Sequence, residues 1–250
     1  MGAPMTELEL DRQYQRGDQA GMVSVIQEWL SLHGWTLRID GDFGPATEIA
    51  VKQFQAANGM ESDGIVGVGT FERLVAPARE ALTVLSPQGR NFGELAAAYA
   101  GQHLAHDPRE VGGQNRGPWV RLYMKGNQGN DFPWCAGFAF FCLNQAAKSL
   151  GQPCPLKETF SCDEIAKAAK ATGAFIAEPS PANRARVQPG SLFLLRKTPA
   201  DWVHTGLVIH VGAEAFQTIE GNTNDEGSRE GYEVCKRNRG YGRCDFVVFA

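Results

Sequence analysis

No stretch of the 250-residue sequence approaches the roughly eighteen consecutive apolar residues that a membrane-spanning helix needs. Met1 to Gln19 has neither the basic start nor the apolar centre of a secretory signal. Basic residues are not in excess: 24 lysines and arginines face 28 aspartates and glutamates, a formal net charge of -4. Binding phosphates needs concentrated cationic charge, so a nucleic-acid partner is not expected. Six cysteines in a chain this long make no disulfide framework, and none stand in a CxxC spacing, which argues against a zinc ribbon or a thioredoxin-like site. Cys154 with Cys162 and Cys235 with Cys244 are near enough in sequence to be bridged. What is present, 43% apolar and 21% charged residues, is the composition of a soluble globular protein long enough for one large domain or two ordinary ones.

The chemistry concentrates in one segment. Gly126 to Asn130, rich in glycine and asparagine, leads through Asp131-Phe132-Pro133-Trp134-Cys135 into the apolar run Ala136 to Phe141. A loop, a proline and an apolar periodic stretch predict a buried helix from Cys135 to Leu150, stopped by Gly151. At a helix N-terminus, N–H groups without intrahelical partners and the positive end of the dipole favour a thiolate, the state a nucleophilic cysteine needs. A buried core cysteine is the commoner outcome for this residue type, so the reading depends on a histidine and an orienting partner downstream. His103 and His106, on a helix predicted over Glu94 to Ala105, lack a third metal ligand and read as a solvated helix end. Asn127, Asn130 and Asp131 offer oxygens to calcium but lack the spaced carboxylates of such a site; no cofactor is expected, calcium here being the one alternative.

Between Tyr14 and Val75 one pattern occurs twice: Asp40-Gly41-Asp42-Phe43-Gly44-Pro45-Ala46-Thr47, then Asp63-Gly64-Ile65-Val66-Gly67-Val68-Gly69-Thr70. Each copy is a glycine turn, an apolar anchor, a second glycine and a polar residue opening a helix. Apolar periodicity predicts helices over Ala20 to His33, Thr47 to Asn58 and Thr70 to Ala76, a small three-helix domain over residues 12–77. Proline, glycine and charge mark residues 78–92 as a linker to a second domain, 93–250.

That second domain reads as helices first and strands second, an α+β order. Ser161-Cys162-Asp163-Glu164 is a capping box for a helix ending at Gly173. Strands are expected over Ser191 to Leu195, Val203 to Val211, Ala215 to Asn222, Tyr232 to Lys236 and Asp245 to Phe249, as an antiparallel meander. A short turn at Gly212-Ala213-Glu214 pairs His204 with Asn222 and Gly206 with Glu220, all on one face, and Gly206 leaves Glu220 room to lean towards the imidazole. Cys135, His204, Glu220 and Asn222 are therefore the candidate catalytic set; His210 reads as structural.

The doubled glycine pattern, with Val51-Lys52-Gln53-Phe54-Gln55 between its copies, resembles the peptidoglycan-binding domain found beside many cell-wall hydrolases. Pro133-Trp134-Cys135-Ala136, Gln188-Pro189-Gly190-Ser191, His204-Thr205-Gly206-Leu207-Val208-Ile209 and Thr218-Ile219-Glu220-Gly221-Asn222-Thr223 together resemble the CHAP amidases and endopeptidases, papain-like peptidoglycan hydrolases. Asn115-Arg116-Gly117-Pro118 with Val120 and Tyr123 is similar to the segment preceding the cysteine in one branch of that group. Two departures stand out: no acidic calcium-binding run is evident, and Ser191 replaces the more usual aspartate. The resemblance implies a papain-like fold with Cys135 as nucleophile, His204 as general base and acid, Glu220 orienting the imidazole, and Asn222 as an oxyanion donor or second orienting group.

The implied partner is peptidoglycan, and the chain is expected to be a monomer. The bond is either muramoyl–L-alanine (amidase) or one within the stem peptide or cross-bridge (endopeptidase). A catalytically inactive wall-binding protein and a papain-like acyltransferase are the competing readings. Without a secretory signal, action on the cell wall implies release of a phage endolysin through a membrane pore or injection by a specialised secretion system.

Overall fold

A computed structural model describes residues 6–224 and 231–249. Its helices are α1 (Gly21–Leu32), α2 (Pro45–Ala57), α3 (Val68–Ala81), α4 (Phe92–Leu104), α5 (Pro118–Tyr123), α6 (Cys135–Ser149), α7 (Cys162–Thr172) and α8 (Pro181–Arg184). Its strands are β1 (Phe175–Ile176), β2 (Leu192–Thr198), β3 (Asp201–Val211), β4 (Ala215–Thr223), β5 (Glu233–Gly240) and β6 (Cys244–Val247). The chain divides into two compact units, Met1–Leu82 with Arg109–Asn130, and Thr83–Pro108 with Asp131–Ala250. Arg109–Asn130, which the sequence reading gave to the second domain, thus groups with the first.

In the first unit the doubled pattern is a doubled hydrogen-bond network. Gln27 on α1 donates from Nε2 to Asp40 Oδ1 (3.0 Å), the Asp42 carbonyl (3.0 Å) and Thr47 Oγ1 (3.1 Å), and its Oε1 accepts from the Asp40 and Gly41 N–H groups. Gln55 on α2 repeats this with Asp63 Oδ1 (2.7 Å), the Ile65 carbonyl (3.0 Å) and Thr70 Oγ1 (3.1 Å), accepting from the Gly64 N–H. Gly41 and Gly64 have φ of 75° and 78°, the left-handed region in which glycine is unstrained. Each turn is thereby locked to the helix before it, and Thr47 and Thr70 lie in the first turn of the helix after it. Helix α3 continues through Pro77 to Ala81, beyond the expected stop at Ala76. Ala78 and Ala81, buried beyond the proline, extend the packed face of this helix.

Arg109–Asn130 is fastened to this unit by a buried ionic cluster. Arg121 on α5 donates from Nε and Nη2 to the two Glu7 oxygens (both 2.6 Å), from Nη1 and Nη2 to the two Glu28 oxygens (3.1 and 2.5 Å), and from Nη1 to Gln128 Oε1 (2.8 Å). All three charged side chains are at most 12% exposed. Removing the cation from such a group leaves two buried carboxylates facing each other. Arg121→Met is expected to destabilise the first unit by about 3 kcal/mol or more, read as a lower urea midpoint. Trp119 adds an edge-on contact with Trp29, ring centroids 5.9 Å apart.

The second unit is α+β, with a six-stranded antiparallel sheet in the order β1-β6-β2-β3-β4-β5. Strands β2 to β5 form the expected meander, but the last strand does not continue it. Strand β6 pairs with β2 (Leu192↔Val247 to Leu195↔Cys244), and β1, which sequence periodicity missed, closes that edge. Buried Phe193, Val208, Phe216, Tyr241 and Phe246 form the core cluster that draws β6 to this position. Asn91 caps α4 in a full capping box with Glu94. His103 on that helix is fully buried, contrary to the solvated end expected of it: its Nε2 meets Gln145 Oε1 of α6 at 2.8 Å, and its ring packs edge-on against Phe138 and Phe141. Burial pushes its pKa down to about 4, so it is a neutral core imidazole.

Candidate active site

Cys135 is the first residue of α6 and is 5% exposed. Seven residues later on the same helix, Cys142 shows what that environment does to an ordinary buried thiol: burial pushes its pKa up. Cys135 moves the other way, well below the usual thiol range. The largest cause is a hydrogen bond from Cys162, the first residue of α7; burial opposes it, and the His204 charge, a hydrogen bond with His204 and the Thr205 backbone N–H add to it. Two helix N-termini and one strand therefore converge on a single sulfur. Asp163 helps fix that convergence, accepting the Trp202 N–H at 2.8 Å and so tying the start of α7 to β3. None of the six cysteines is in a disulfide, so neither bridge considered from the sequence is formed.

His204 on β3 is 2% exposed, with Nε2 2.8 Å from Glu220 Oε2 of β4. Nδ1 is buried without a hydrogen bond of regular geometry and is the ring nitrogen left for the Cys135 sulfur. Burial lowers the imidazole pKa, but the Cys135 thiolate and the Glu220 carboxylate outweigh it and push it up to about 9. Glu220 is wholly buried; that alone would raise its pKa, yet Arg239 first and His204 second hold it down to about 2. Gly206 makes room for it: a Cβ there would lie 2.7 Å from Glu220 Cγ. The β3–β4 register near the site, Leu207↔Ile219 and Val208↔Thr218, is the one a turn at Ala213 dictates; nearer the turn it shifts by one residue.

Asn222 is less simply placed. Among the described residues the β3–β4 ladder runs from Leu207 to Val211 and stops short of the expected pairing of Asn222 with His204. Asn222 has φ of 53° within an irregular stretch between Glu220 and Thr223, and its buried Oδ1 has no hydrogen-bond partner. The left-handed backbone, which asparagine tolerates, takes it off the regular strand.

Sequence reasoning missed three partners. Arg239 on β5 grips Glu220 with both ends of its fork, Nε to Oε1 and Nη2 to Oε2, each 2.5 Å. Thr218 adds a hydrogen bond from Oγ1 to Oε1 (2.5 Å), and Cys162 completes the thiolate's surroundings. Only the repeated Thr218, Glu220 alternation on β4 carried a local hint. Of the residues considered for calcium, Asn127 donates from Nδ2 to the Met124 carbonyl at 2.8 Å. Among the described residues no three His, Cys, Asp or Glu side chains group as metal ligands, and no helix is long and apolar enough to cross a membrane.

Comparison with known proteins bears on the first unit. The zinc D-Ala-D-Ala carboxypeptidase of Streptomyces albus G is 54% identical over 41 residues, 16% of this chain and 16% of that protein. The chain thus spans about a sixth of the length of this relative. Residues 19–74, which hold both glutamine networks, match the family described as "Putative peptidoglycan binding domain", so the chain carries a peptidoglycan-binding module at its N-terminal end.

Proposed function

We propose that this chain is a peptidoglycan hydrolase that cleaves an amide bond through Cys135 while its N-terminal module holds it on the wall. The observation that carries the reading is the buried row of Cys135 at the start of α6, His204 on β3 and Glu220 on β4, with a 2.8 Å His204–Glu220 bond and a thiol far below its ordinary pKa. The peptidoglycan-binding match of residues 19–74 supports the substrate class, and the resemblance of Pro133 to Ala136, His204 to Ile209 and Thr218 to Thr223 to the papain-like CHAP group supports the reaction. The Cys135 thiolate attacks the amide carbonyl, and its carbon–nitrogen bond breaks as His204 delivers a proton from Nδ1 to the leaving amine. Water, losing a proton to the same nitrogen, then hydrolyses the thioester and frees the thiolate, which restores the resting ion pair. Glu220 stays ionised and orients the ring, while N–H groups at the α6 start, unpaired within the helix, suit the oxyanion. Asn222 is assigned to the substrate side as a further amide donor, since Glu220 already fills the orienting place.

The pH profile follows from the two shifted groups. The active form pairs a thiolate with an imidazolium, so kcat/KM should hold from mildly acid pH upward and fall as His204 loses its proton near pH 9. Stability carries the same signs. The raised pKa of His204 gives stabilisation fully present below about 6.5 and lost as pH rises through about 9; the depressed pKa of Glu220 gives stabilisation present above about 4.5 and lost as pH falls through about 2. An alkaline limb near pH 6.5 would contradict this assignment. Mass spectrometry of fragments released from defined sacculi tests the function itself: new amino termini or lactyl carboxylates identify the cleaved bond, and intact sacculi after prolonged incubation would leave only wall binding.

A further inference from the structure

The site holds a charge arrangement that the proposed chemistry alone does not require. Glu220 is 0% exposed, and a lone buried carboxylate is relieved most cheaply by taking up a proton. Here every direction from it is occupied: His204 Nε2 from β3 at 2.8 Å, Thr218 Oγ1 from its own strand at 2.5 Å, and the Arg239 fork from β5 at 2.5 Å on each oxygen. The Arg239 side chain is 17% exposed and its guanidinium carbon sits 4.8 Å above the Phe193 ring, which leaves the fork little freedom. The backbone register makes the reach deliberate. Glu220 stands opposite Cys235, whereas Arg239 stands opposite Phe216, so the guanidinium runs back along the strand past the Thr218 row to find the carboxylate. Two other arginines nearby are committed elsewhere: Arg237 donates to the Asn224 carbonyl at 2.5 Å, and Arg196 pairs with Glu178 at 2.6 Å.

We propose that Arg239 is a positioning residue that ends a buried row of alternating charge, thiolate, imidazolium, carboxylate and guanidinium, and thereby keeps Cys135 ionised from two residues away. With Arg239 the row is neutral; without it the row is a net anion in a dry site, and the least costly relief is a proton on Glu220 or on Cys135. Either outcome weakens the nucleophile, the first by loosening the imidazolium and the second directly. The groups that share this field are Cys162 and the Thr205 N–H beside the sulfur, and Cys235 and Cys244 beside the guanidinium. Burial pushes Cys244 up to about 11, so it stays a neutral thiol across the working range. The inference rests on the reading of Cys135, His204 and Glu220 as the reacting set.

The test uses the full chain and reads the thiol before it reads turnover. The rate of iodoacetamide labelling at Cys135, followed by peptide mass spectrometry across pH, gives the pH at which the thiolate forms. Arg239→Met is expected to raise that midpoint by about one unit or more and to lower kcat about ten-fold or more with KM little changed. Arg239→Lys, which keeps the charge but not the fork, should recover part of both and covers the case in which the methionine variant does not fold. In a Glu220→Gln background the methionine substitution should add almost nothing, because its target is gone. An unmoved labelling midpoint in folded Arg239→Met or Arg239→Lys, or full additivity with Glu220→Gln, would overturn the role. A wild-type Cys135 that labels like an ordinary thiol would instead overturn the catalytic reading beneath it.

Discussion

Cys135→Ser is expected to abolish lysis of sacculi, with turnover down about a thousand-fold or more, while binding to the same sacculi is unchanged. The reason lies in which groups carry charge at rest. Cys162, His204 and the Thr205 N–H stabilise an anion on the Cys135 sulfur, and that anion in turn holds the proton on His204. A serine hydroxyl does not ionise in this range, so the ion pair disappears and His204 loses the partner that supports its raised pKa. Burial then favours the neutral ring, and the surroundings arranged for a polarisable thiolate meet an unactivated hydroxyl. Sedimentation with sacculi supplies the control for wall binding. The full-length variant is preferable to a chain begun near Phe92, because Arg109–Asn130 groups with the first unit and such a deletion would strip Arg121 of Glu7 and Glu28 and Trp119 of its contact with Trp29. Clearing of a sacculus suspension by Cys135→Ser would remove the nucleophile assignment outright.

Gly190→Ala should be strongly destabilising to the second unit. Gly190 has φ of 88°, and a Cβ there would lie 2.1 Å from the Gly93 carbonyl oxygen and 2.2 Å from its Cα. The obstacle is backbone in the first turn of α4, which cannot swing aside as a side chain can. The Gly190 N–H also donates to the Val208 carbonyl at 2.8 Å, so displacing this turn pulls on the strand that carries His204. Left-handed strain and overpacking together imply a loss of about 3 to 5 kcal/mol. Gly151→Ala is the matched control: φ is 65° but nothing lies within 4 Å, so only the conformational cost of about 1 kcal/mol remains. Equal urea midpoints for the two variants would show that the α4 contact does not matter.

The sequence by itself determined what depends on neighbours in the chain. Glycines at fixed offsets announced both turns of the first unit, and a proline and a glycine bracketed α6, which put Cys135 at a helix start. Ser161 marked the start of α7, and the short turn at Ala213 set the register that brings Glu220 over Gly206. These are signals of backbone stereochemistry and periodicity, complete within a few residues. Only the tertiary structure decided the rest. Strand β6 pairs with β2 because a core shared by Phe193, Phe216, Tyr241 and Phe246 places it there, which no spacing along the chain encodes. His103 is buried because Gln145, forty-two residues on, satisfies it. Arg121 binds Arg109–Asn130 to carboxylates more than ninety residues away. Cys162 and Arg239 join the site from α7 and β5 for the same reason: a buried charge takes its partner from whatever the fold brings within reach, and that reach is set by packing rather than by sequence distance.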